Sequence, residues 1–298
     1  MQQLDFFVDG RDALLVHAVV TSLVARDHEA ATARLAVLRS EHPAHPDVPA
    51  LARLTDSLRA SPPSPLNHAT LTSAVQPIHD VLDPAARRLL GPDAGRFLDP
   101  LWRMLAAAAS LLRFDESWPR AHPSWLHLQR EDWPAVCASV EAEPDWPERS
   151  LLRYRLGLAR HHVGEADAAI RLWLPLCWLD PALFARYAPA LPNAMLRDEW
   201  DSFERSGAFG HASDATPWFP SWLLVRHRRL ADVFERADVP DDAGAVTETF
   251  RALLTLIPLE RRGLTGELIA HRRALQRLSP ELFACYMATI ATGRPRRV

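Results

Sequence analysis

The chain contains no lysine: all 34 of its Lys-plus-Arg positions are arginines. That absence removes several chemistries together. The phosphate-loop lysine, the ATP-anchoring lysine of kinases and the Schiff base that holds pyridoxal phosphate all need a primary amine on a side chain. Glycine is also scarce, at 11 residues in 298, and none forms a GxGxxG run. The ordinary nucleotide-binding enzymes are disfavoured on both counts. Codon composition in a GC-rich genome is the expected origin of the arginine bias, ahead of any functional one, and the chemical exclusions hold either way.

Cysteine is nearly absent too. Cys137, Cys177 and Cys285 lie far apart, without a CxxC spacing or an even count, so free thiols are expected rather than a disulfide framework. Long apolar runs are missing: the longest, broken by one serine, is Met104 to Leu112. It is too short to cross a bilayer. The opening "MQQLDFFVDGRD" lacks the charged start and apolar stretch of a secretory signal. A soluble, cytoplasmic protein with no membrane association is the expectation.

What is present is helical. Of the residues, 48% are hydrophobic and 24% charged, enough to bury a substantial core. From Asp12 to Arg39 apolar residues recur at three and four, broken at "ARDHE", which reads as a helical hairpin. A short helix over Ala50 to Arg59 runs into "SPPSP", where clustered prolines stop a helix and suggest a boundary near residues 60 to 67. Further helices are expected over His68 to Leu82, Pro84 to Leu90, Pro100 to Phe114 (the most buried), Asn193 to Arg205, Trp218 to Arg236, Asp242 to Ile257, Thr265 to Leu278 and Pro280 to Thr292. Three Trp-Pro punctuations, "ESWP", "EDWP" and "PDWP", and three "LDP" tripeptides read as helix starts, because proline in a first turn loses no needed hydrogen bond. No segment alternates with period two for long enough to predict a strand. The fold class is therefore all-α, in three regions: 1–60, a Trp-rich 68–210 and 215–298 with a basic tail, "TGRPRRV", expected to be mobile.

The segment from Ser150 to Pro181 resembles a tetratricopeptide repeat. Leu156 and Gly157 lie in its first helix, Gly164 and Glu165 at the turn, Ala169 and Trp173 in its second helix, and Asp180 with Pro181 at the exit, all in one register. A weaker copy runs from Ala13 to Pro43, and a half unit from Trp133 to Pro144. The segment departs from the family at Arg153 and Arg160, where aromatics are preferred, and at Pro175, which should kink the second helix. The resemblance implies degenerate helical-hairpin repeats stacked as an α/α superhelix. It also implies a concave groove that binds a peptide or partner helix, lined here by Leu151, Tyr154, Leu158, His161 and His162. The family's chaperone-binding members clamp a terminal carboxylate with lysine and asparagine. A chain without lysine is a poor match for that ligand.

Other chemistry does not assemble in the sequence. His161 and Glu165 have a helical ligand spacing, but Gly164 should end the helix between them, and HExxH is absent. No GxSxG elbow marks a nucleophile. No catalytic residue, metal or cofactor is expected. The basic end carries 13 arginines against 9 acids over residues 221 to 298. This interleaved excess is too small for a nucleic-acid footprint, though such an end could dock on the acidic body of another copy as a homo-oligomer. Trp218 and Trp222, beside the irregular loop "SGAFGHASDATPWFPSW", are expected to be exposed and to bind a partner. The expected function is a non-catalytic protein-binding scaffold or adaptor. The alternative is an all-α enzyme or small-molecule binder with a pocket between the central and C-terminal helices.

Overall fold

A computed structural model describes residues 5–64, 66–210, 212–234, 239–240, 244–263 and 265–293. The described residues are helical, with no strand among them, and the chain divides into two compact units, Met1–Ser139 and Val140–Val298. None of the described helices is long and apolar enough to cross a membrane.

The first unit begins with a hairpin of α1 (Asp5–Val24) and α2 (His28–Glu41). The Asp27 carboxylate accepts from the Ala30 amide at 2.9 Å and so caps α2. Then come α3 (Val48–Ser57), α4 (His68–Pro77), α5 (Asp83–Leu90), α6 (Ala94–Ala109), α7 (Pro123–Gln129) and α8 (Trp133–Glu141), which runs past the unit's last residue. Asn67 and Thr70 form a reciprocal capping box at the start of α4. Between α4 and α5 the chain makes one π-helical turn, Ile78–Leu82. The Pro-rich stretch expected to mark a boundary lies inside this unit.

The second unit opens with the hairpin α9 (Ser150–His162) and α10 (Ala166–Trp173). It continues through α11 (Leu176–Leu179), α12 (Pro181–Tyr187), α13 (Ala194–Ser206), α14 (Ala212–Ala215) and α15 (Phe219–Arg226). It closes with α16 (Gly244–Arg261), α17 (Gly266–Leu278) and α18 (Pro280–Gly293). Each unit has its own apolar core: one gathers residues from Val19 to Leu126 around Phe97 and Trp102, the other residues from Ala169 to Tyr286 around Trp173, Trp200, Phe219 and Phe250.

Several local expectations need correction. The helix expected from Pro100 starts at Ala94, so Asp99 and Pro100 lie inside α6. Asp99 does not cap there; it accepts from Arg103 Nη2 at 2.6 Å and from Arg130 Nε at 2.7 Å. The helix ends at Ala109, and Leu111 beyond it is exposed. Asp83 likewise follows the π turn without capping, whereas Asp180 does cap, accepting from the Leu183 amide at 3.0 Å. Of the three Trp-Pro pairs, Trp133-Pro134 opens an α-helix and the other two open single 3-10 turns. The long helix expected from Trp218 stops at Arg226, followed by a 3-10 turn over Arg228–Asp232. Residues 235–238 and the tail 294–298 lie outside the described residues.

Candidate functional site

The expected groove residues lie on α9, and the packing of α9 on α10 begins at a glycine. A Cβ on Gly157 would sit 2.2 Å from Trp173 Nε1, closer than atoms approach without displacement. The indole fills that space and donates from Nε1 to the Tyr154 carbonyl at 3.2 Å. Gly164, at φ +93°, ends α9 in the left-handed region. Its amide returns to His161 O at 3.0 Å and the Glu165 amide to Arg160 O at 2.8 Å, a Schellman closure. At the far end of α10, Pro175 interrupts the helix, and the second arm is divided into α10 and α11 with Leu174 and Pro175 both at right-handed helical angles.

On this frame Leu151, Tyr154, Leu158 and His161 are partly buried and His162 is exposed. Tyr154 stacks on Tyr187 of α12, with centroids 4.3 Å apart and planes 20° from parallel. Desolvation, and then the neighbouring Tyr187, push the Tyr154 phenol up to about 12. His161 packs against Trp173 at 5.8 Å and His162 at 5.7 Å. Its Nδ1 is buried without a hydrogen-bond partner among the described residues. Desolvation and the adjacent His162 lower its pKa, so the ring is neutral at neutral pH. The Glu165 carboxylate accepts from Arg160 at 2.8 Å, and Arg160 also donates to Glu141. The arginine at an expected aromatic position therefore ties the turn of the hairpin to the end of α8. Among the described residues there is no group of three or more His, Cys, Asp and Glu able to hold a metal.

Trp218 and Trp222 are partly buried, packed against the core of the second unit. Trp218 stacks on Phe209 at 5.4 Å, while Trp222 meets Phe203 and Phe209 edge-on and lies under the Arg226 guanidinium at 5.4 Å. The irregular loop, through Phe209, is what covers them. Beside it a cavity of about 230 Å³ is lined by Trp200, Phe203, Glu204 and Phe209. The indole Nε1 of buried Trp200 has no acceptor among the described residues, and neither has that of Trp222.

Sequence reasoning missed two further assemblies. In the second unit, Glu260 accepts from Arg228 Nη1 at 2.5 Å, from Arg272 Nη2 at 2.9 Å and from the Tyr286 hydroxyl, while both guanidiniums lie over the Tyr286 ring at 5.5 and 5.6 Å. This knot joins α16, α17, α18 and the turn after α15. In the first unit, a basin of about 560 Å³ is bordered by Asp12, His17, His45 and Asp47 over Val16, Val20 and Leu89. His45 Nδ1 accepts from the Asp47 amide at 3.2 Å, and its Nε2 lies 3.9 Å from Asp12. The wide sequence separations within both groups leave no local pattern that would announce them. Tyr187, by contrast, sits in the first helix after Asp180-Pro181, where a second hairpin would begin.

No protein-family model matches the chain, and no curated protein or solved structure matches it either.

Proposed function

We propose that this chain is a non-catalytic, tetratricopeptide-like scaffold that binds another protein by holding a peptide segment against α9 and α12. The stack of Tyr154 on Tyr187 carries the reading, because it joins α9 to α12 through two partly buried aromatic rings. Leu151 and Leu158 flank Tyr154 along α9, and His161 and His162 supply polar groups at one end. Large, rigid aromatics gain contact area at little entropic cost, and flanking polar groups set register.

Peptides selected from a random display library against the immobilised full chain test this. Tyr154→Ala and Tyr187→Ala should each weaken the selected peptides at least about tenfold, a loss of about 1.4 kcal/mol. His162→Ala should weaken them less. Selected peptides that bind both tyrosine variants as tightly as the parent chain would overturn the assignment. A second reading, a small-molecule-binding all-α protein, is favoured by the unpaired Trp200 Nε1 at the aromatic cavity. Ligand-dependent protection of the Trp200 region in hydrogen exchange would support it.

A further inference from the structure

The first unit holds a cavity of about 450 Å³ between α3, the end of α4, the π turn and α6. Its size falls within the roughly 300–1,000 Å³ of small-ligand pockets. The walls are mainly apolar, formed by Ala74, Ile78, Val81, Leu82, Met104 and Leu105, with Ser57 and Ser61 on the α3 side. The π turn shapes one wall. Pro77 has no amide hydrogen, and the turn after it closes through the Asp83 amide to Ile78 O, five residues apart. Such a turn holds an extra residue, and here Ile78, Val81 and Leu82 all reach the cavity. Inserted π turns of this kind are frequent at functional sites.

The rim supplies charge of both signs. Arg53 and Asp56 lie one turn apart on α3, both exposed and both bordering the cavity. That spacing permits an ion pair. Yet neither side chain has a hydrogen-bond or ion-pair partner among the described residues. An open apolar pocket edged by one unpaired cation and one unpaired anion is complementary to a molecule with an apolar body and a zwitterionic head.

We infer that this cavity binds a free apolar α-amino acid, with the side chain among Ile78, Val81, Leu82 and Leu105, the carboxylate at Arg53 and the ammonium at Asp56. Each charged contact contributes to affinity independently, and the apolar body is required for any binding. Calorimetric titration of the full chain with L-phenylalanine, phenethylamine, 3-phenylpropanoate and glycine tests the inference. L-phenylalanine should bind, each single-headed analogue at least about tenfold more weakly, as expected for loss of a charge-assisted contact, and glycine not measurably. Arg53→Gln should abolish the advantage of L-phenylalanine over phenethylamine, and Asp56→Asn its advantage over 3-phenylpropanoate. Both positions are exposed, so these variants should fold like the parent. Ala74→Trp should fill the cavity and block all binding. Absence of saturable L-phenylalanine binding, equal binding of the three aromatic compounds, or binding indifferent to both rim variants would overturn it.

Discussion

At Gly157 the absent side chain is the structural element. Inside a helix, alanine normally stabilises by about 1 kcal/mol over glycine, but here the added carbon would lie 2.2 Å from Trp173 Nε1. Overpacking of this kind costs roughly 1–3 kcal/mol, so Gly157→Ala should destabilise on balance. The same change in a Trp173→Phe background should cost less, which a double-mutant cycle in urea measures directly. Two histidines make a second prediction. Desolvation lowers the pKa of His127 in the first unit and of His161 in the second, against smaller opposing or reinforcing charges. An unfolded histidine then takes up its proton at higher pH than the folded one. Stability should fall as pH drops below about 6.5, and His127→Gln and His161→Gln should each flatten that fall in urea midpoints taken at pH 7.5 and 5.5. Gly157, Gly164 and Trp173 were legible in the sequence because their spacing is local. The Tyr154–Tyr187 stack was not, since it depends on how Pro175 and Asp180 redirect the chain between them.

At the scale of the element, caps separate what sequence can specify from what packing decides. Asn67 and Asp180 each accept from the third amide of their helix. Asn67→Ala and Asp180→Ala should each cost about 1 kcal/mol, read as a loss of thermal or urea stability. Asp99→Ala, at an identical tripeptide, should leave helix initiation untouched and release Arg103 and Arg130 instead. Helical periodicity was sufficient for the longer helices, such as α2, α13, α16, α17 and α18, because an apolar stripe has to be buried whatever it packs against, and it did not locate short ones such as α7 and α14. The "LDP" and Trp-Pro motifs were less informative. An aspartate before a proline suits a first turn, but a helix already begun at Ala94 can accommodate Pro100 at the loss of one backbone bond. Likewise the exposure expected of Trp218 and Trp222 depended on a loop whose Phe209 packs back on them, a tertiary contact without a local signature.

Across the whole molecule, burial is divided between two cores, and each should report its own damage. Leu51→Ala removes a fully buried side chain of the first core and Leu223→Ala one of the second. Each should cost about 2–5 kcal/mol. Hydrogen exchange should show lost protection across α1 to α6 for the first and across α13 to α18 for the second. The sequence pointed to an all-helical chain, but its most linker-like stretch, at residues 61 to 65, falls within one unit rather than between two.

The knot at Glu260 gives the molecule an optical consequence. The chain has three tyrosines, and the phenols of Tyr154 and Tyr286 are both pushed up to about 12, chiefly by burial and, for Tyr286, also by Glu260. Unfolded tyrosines ionise near 10, so stability drains away as pH climbs from there toward 12. The ultraviolet band of tyrosinate from these two rings should therefore rise together with loss of helical signal. Alkali would make the protein's own absorbance a clock for its unfolding.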